Sequence, residues 1–109
     1  MSEPQPTVAL VHGAFAESAS WNGVLEILQA RGVDAIAVAG VATSAMVAAT
    51  CYDAADRGYR VTVLRDGCAD ADPAVHDFFM DKVFPGRAHD VMSCDQFQVR
   101  HAASQTTAS

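Results

Sequence analysis

The chain has 109 residues, 50% of them hydrophobic and 18% charged, with 7 Lys/Arg against 13 Asp/Glu for a net charge of −6. That is the length of one domain with enough apolar content for a packed core, which sets intrinsic disorder aside. An acidic surface without a Lys/Arg cluster repels phosphate backbones, so nucleic acid is not an expected partner. The longest apolar runs are strand-sized, well short of the ~20 residues a membrane helix needs.

Residues 1–6 lack the basic and apolar stretches of a secretion signal and are expected to be flexible. Cys51, Cys68 and Cys94 form an odd, widely spaced set with no CxxC. That argues against a disulfide framework or a zinc site and suits a reducing cytoplasm.

Thr7–His12 reads as a buried strand, followed by a turn of small residues over Gly13–Ser20. Ser20 is placed to cap a helix from Trp21 to about Ala30, in which Trp21, Val24, Leu25 and Leu28 form one apolar stripe. Arg31-Gly32 ends it. Val33–Ala39 is the second strand and Gly40–Thr43 its turn. A second helix over about Ser44–Arg57 stops at Gly58, with Ala48, Ala49, Cys51, Ala54 and Ala55 on its inner side. Arg60–Leu64 is the third strand. Asp72-Pro73 opens a third helix with an N-cap and a proline in its first turn; Val75, Phe78, Phe79 and Val83 line one face, and Pro85-Gly86 ends it. His89–Ser93 is a short fourth strand. Strands alternating with helices predict an α/β fold: a small three-layer, Rossmann-like domain over 7–95 with a mostly parallel four-stranded sheet. Residues 96–109 lack periodicity and are expected to form a flexible tail. So small a sheet leaves an edge or a face that a second copy would cover, so a homo-oligomer is expected.

The turn after the second strand attracts most interest. A strand-turn-helix junction presents a side chain and backbone N–H groups at the carboxyl edge of a sheet. Here that segment is Gly40-Val41-Ala42-Thr43-Ser44-Ala45-Met46. Met46 occupies the place a nucleophile would take, and a thioether is neither acid, base nor useful nucleophile.

Two resemblances meet in the second strand. Val8-Ala9-Leu10-Val11-His12-Gly13-Ala14-Phe15, followed by Ser20-Trp21, resembles the first strand and HGAF loop of the α/β-hydrolases; this would place an oxyanion-hole N–H near Ala14 or Phe15. The G-x-S-x-G elbow of those enzymes is absent from the chain. From about residue 31 to 93 the chain resembles the C-terminal half of isochorismatase-like cysteine hydrolases. The matching strings run from Arg31-Gly32-Val33-Asp34 through Ala39-Gly40-Val41-Ala42-Thr43-Ser44 and Asp53-Ala54-Ala55-Asp56-Arg57-Gly58-Tyr59 to Asp66-Gly67-Cys68-Ala69-Asp70 and Lys82-Val83-Phe84-Pro85. The resemblance implies that the family's nucleophilic Cys aligns with Met46. It also implies an oxyanion hole from N–H groups near Ala42 and Met46, and a non-proline cis peptide in the Val41–Thr43 turn. The catalytic Asp and Lys of the family belong to an N-terminal half that this chain does not contain.

His12 ends a strand beside Gly13; Ser44 could stand in for the missing thiol but suits an N-cap; Cys68 follows the third strand at the same sheet edge. These three are the catalytic candidates, none of them decisive. Gly40, Val41, Ala42, Thr43, Ser44 and Met46 are the candidate substrate-binding residues. Cys51 lies about 140° around the helix from Met46 and cannot replace it. His76 and Asp77 suit a helix surface, and His89 and His101 are isolated. Asp66, Asp70 and Asp72 lack the dense oxygens and closing Glu of a calcium loop, so neither metal nor cofactor is expected. The resulting expectation is a relative of the isochorismatase-like hydrolases, acting on a small amide or vinyl-ether substrate and impaired by Met46. The alternatives are a non-catalytic oligomerising or binding module that uses the small-residue helix as its interface, or an α/β-hydrolase-like esterase fragment.

Overall fold

The computed structural model describes residues 7–12, 22–87, 89–101 and 105–108. Five parallel strands, β1 (Thr7–His12), β2 (Ala35–Val41), β3 (Arg60–Ala69), β4 (Asp90–Met92) and β5 (Gln105–Ala108), form one sheet in the order β4-β3-β2-β1-β5. The α/β class, the parallel sheet and the four expected strands are therefore present, with a fifth at the edge beyond β1.

Between the strands lie α1 (Asn22–Ala30), a π-turn (Thr43–Val47) running directly into α2 (Ala48–Asp56), and α3 (Pro73–Phe78). A second π-turn (Phe79–Val83), the short α4 (Phe84–Gly86) and α5 (Cys94–His101) complete the order. Alternation along β2 divides the core between the two sheet faces. Ile36 and Val38 pack under Leu25 of α1, Ala48, Cys51 and Ala54 of α2, and Met80 and Phe84 after α3. Ala37 and Ala39 face the other way, where Leu64, Met92 and Phe97 of α5 cover them.

Both expected helix stops hold. Gly32 (φ 85°) and Gly58 (φ 92°) take the left-handed conformation that glycine adopts without a Cβ penalty. The following residues close Schellman motifs, Val33 N–H donating to Leu28 O and Tyr59 N–H to Ala54 O, each at 3.0 Å. The proposed cap Ser20, Trp21 and the Gly13–Ser20 turn lie outside the described residues, as do Ala14 and Phe15 and residues 1–6.

Three expectations need correction. A domain boundary at 95 would cut α5, and β5 joins the sheet beyond it. Ser93 and Gln96 form a reciprocal capping box at the start of α5: Ser93 N–H donates to Gln96 Oε1 at 2.9 Å and Gln96 N–H to Ser93 Oγ at 3.1 Å. Phe97 is 1% exposed, which anchors the helix to the sheet. The apolar face of the third helix is also shifted, since Met80 and Phe84 are buried while Phe78 is 58% exposed. The π-turn before Pro85 adds a residue to that turn and rotates the stripe; a proline supplies no N–H and its ring crowds the carbonyl four residues back. Finally, the small side of α2 is spent inside the molecule: Ala48, Cys51 and Ala54 are buried against the sheet and do not offer an interface.

Candidate active site

The carboxyl ends of β1, β2 and β3 bring His12, Gly40 and Cys68 into one row, paired His12 to Gly40 and Gly40 to Cys68 across the sheet. At the usual strand spacing, His12 and Cys68 are therefore ~10 Å apart at their Cα atoms. Cys68 does not follow the third strand as expected but belongs to it. The register jumps between Val38 and Gly40, where β3 passes from Val63 to Cys68 and bulges over the intervening residues. Gly67 makes this possible: a Cβ there would meet the Cβ of Ala39 at 3.1 Å and that of Leu64 at 3.3 Å.

Beyond Gly40 (φ 128°), the Val41–Ala42 peptide is cis, in the turn for which the resemblance implied it. The Ala42 carbonyl then accepts from both Ala45 N–H and Val47 N–H at 3.1 Å, the second bond being the wide i to i+5 closure of a π-turn. Ala42 holds the N-cap position and has no side chain to cap with. Ser44 is not the cap but lies one residue inside the turn. The cap comes from another element: Asp70, just past β3, accepts from Ser44 N–H at 2.9 Å and from Ser44 Oγ–H at 2.6 Å. These bonds hold the Asp70 carboxyl below the usual carboxylate range. Thr43 is fully buried, its hydroxyl 2.7 Å from His76 Nδ1. Met46 is half-buried on the same turn.

The acidic residues in and just after β3 have a common use. Asp66 accepts from Cys94 N–H at 2.7 Å at the start of α5, and Asp72 from Ala74 N–H at 2.9 Å at the start of α3. With Asp70 on the turn before α2, three carboxylates each satisfy N–H groups at a different helix N-terminus. Among the described residues, no group of three or more His, Cys, Asp or Glu is arranged to hold a metal.

Of the candidate attacking groups, Cys68 is buried, with its Sγ–H directed at Val38 O 3.8 Å away; burial pushes the thiol up to about 12. A protonated thiol already engaged with a carbonyl is a poor nucleophile. Ser44 is exposed and its proton points at Asp70, so a carboxylate is poised beside an accessible hydroxyl. The structure thus brings together Ser44, Thr43 and Met46 and adds Asp70 and His76, neither of which sequence reasoning placed in the site. Asp70 carried a partial signal as one of a run of loop acids. His76 carried none, because its partner Thr43 lies 33 residues away.

The model of the isochorismatase domain family matches residues 3–96, running through the stretch at 7–30 that resembles an α/β-hydrolase. An isochorismatase-like hydrolase from Alkaliphilus metalliredigens is 28% identical with a TM-score of 0.63, over 79% of this chain and 45% of that one. An isochorismatase family protein from Burkholderia thailandensis is 27% identical with a TM-score of 0.61, over 74% and 40%. A pyrazinamidase/nicotinamidase from Streptococcus mutans is 25% identical with a TM-score of 0.57, over 62% and 37%. The chain thus spans less than half the length of each of these structures. No curated protein matches it. A family match across most of the chain, on a parallel α/β sheet, places this protein in the isochorismatase family.

Proposed function

We propose that the Gly40–Met46 turn forms the wall of a small-molecule pocket of the isochorismatase-like type, with small amides or vinyl ethers as the ligand class. We further propose that Met46 removes the covalent step from it. The carrying observation is the position of Met46 on the turn that follows β2, where the family resemblance puts the attacking sulfur. A thioether there has no proton to lose and forms no stable thioester with an acyl group. The similar pyrazinamidase/nicotinamidase supports the amide class. His12, Ser44 and Cys68 are weaker routes to chemistry: His12 is two strands from Cys68, Cys68 is buried and Ser44 is committed to Asp70. The three unpaired thiols favour a reducing compartment, with the cytoplasm as our assignment; among the described residues no helix is long and apolar enough to cross a membrane.

The test is Met46→Cys with peptide-resolved alkylation by iodoacetamide, together with an amidase assay on nicotinamide and pyrazinamide. Wild type is expected to give no turnover. The new thiol, at a helix N-terminus, is expected to alkylate faster than Cys51 and Cys68, and pyrazinamide is expected to slow that alkylation. Absence of protection by any small amide would remove the pocket. Wild-type turnover that survives Met46→Ala unchanged would remove the role given to position 46.

A further inference from the structure

The opposite edge of the sheet points to a second use of the molecule. β4 ends the sheet, so one side of Asp90–Met92 meets β3 and the other meets no strand among the described residues. A strand edge of that kind is a template for another strand unless something covers or blunts it. Here α5 runs beside it and the two enclose an open groove of about 730 Å³, whose walls include Val91, Met92 and Val99. Val99 is 85% exposed, beyond the other exposed large apolar residues among those described, Phe78 (58%) and Ile27 (56%). The groove also carries Asp90, Asp95 and Arg100, and none of these charges has an ion-pair partner among the described residues.

We infer that this groove is the contact between two copies of the chain, paired edge to edge through β4. The charge pattern identifies the occupant. Antiparallel pairing of two β4 edges requires a two-fold axis perpendicular to the sheet, and that axis leaves both α5 helices on one face, running in opposite directions. The acidic start of α5 at Asp95 is then turned toward the basic end at Arg100 of the other copy, and the relation repeats by symmetry. Val91 meets its own counterpart at the axis, and the Val99 side chains close over the seam. A partner with an unrelated sequence would need its own acid-base pattern in register, whereas a second copy has it by construction. The result is a ten-stranded sheet continuous across the dimer, with both Gly40–Met46 turns remote from the seam.

Sedimentation velocity on the full chain tests this, with Asp95→Arg and Arg100→Glu made separately and then mixed. Both positions are exposed, so the fold should survive, and circular dichroism of each variant checks that it does. The wild type should sediment as a dimer. Each single reversal should weaken the dimer by about tenfold or more, since it replaces two symmetry-related attractions with repulsions. An equimolar mixture of the two variants should recover a heterodimer. Phe78→Ser, on the far face, should leave the dimer intact. A wild-type chain that stays monomeric at several hundred micromolar overturns the inference. So does a dimer that resists both reversals, or one that Phe78→Ser dissolves.

Discussion

Asp70 shows what a single side chain contributes to the candidate site. It accepts from the amide and hydroxyl of Ser44 and, through its other oxygen, from Asp72 N–H at 3.3 Å. It thereby ties the end of β3 to the turn that holds Met46. Asp70→Ala should lower the urea midpoint and speed hydrogen exchange at the Ser44 amide, whereas Asp70→Asn, which keeps an acceptor, should do less of both. Equal losses for Asn and Ala would mean that charge and not the hydrogen bonds holds the turn. This residue also marks where sequence reading stops. The Gly40–Met46 turn is legible because its signals are contiguous: an apolar strand, a glycine, small residues, then a helix. Asp70 reaches Ser44 across 26 residues and His76 reaches Thr43 across 33, and no local pattern encodes such pairings. Ser44 was misread for the same reason, since a serine at a helix start is ordinarily its own cap.

At the scale of elements, α5 is the instructive case. Its sequence has few apolar residues, so periodicity fails, yet Ser93-Cys94-Asp95-Gln96 spells a capping box that the structure forms. Local chemistry at the helix start was readable even though its core-facing stripe was not. One aromatic side chain of α5 is fully buried: Phe97 packs with Ala37 and Ala39, where the small side chains of β2 leave room. Phe97→Ala should therefore destabilise the protein by about 3–5 kcal/mol in urea unfolding, the usual range for a buried aromatic truncated to a methyl. A loss below about 1 kcal/mol would show that α5 is not part of the cooperative unit. The elements with strong punctuation were the easiest to read. Gly32, Gly58 and Asp72-Pro73 each stop or start a helix where expected. The extent of β3 was not legible, because its bulge depends on Gly67 passing close to Ala39 in a neighbouring strand.

For the molecule as a whole, these groups set how stability varies with pH. His89 is buried between the rings of Tyr52 and Phe84, with its Nε2 lacking a partner among the described residues. Burial, then the Arg87 guanidinium that lies 4.0 Å above the Tyr52 ring, holds its pKa below the ordinary 6.5. A depressed histidine is neutral in the fold and takes up its proton more readily once unfolded. Its contribution is therefore complete above pH 6.5 and is lost as pH falls from there toward the folded value. Asp66, Asp70 and Asp81 are held below their ordinary 3.8 by the hydrogen bonds they accept, so their contribution is lost at still lower pH. On the alkaline side the sign reverses. Burial raises the Cys51 and Cys68 thiols above the ordinary 9.0, so the unfolded chain ionises first and stability falls as pH rises through that value. Chemical denaturation across pH should give a plateau between about 6.5 and 9.0 with a decline on each side. The first part of the acid decline should vanish in His89→Phe, which keeps an aromatic ring beside Tyr52 and Phe84 but cannot be protonated. An acid limb identical in His89→Phe and wild type would assign the whole of it to the carboxylates and show that the buried imidazole does not set the onset.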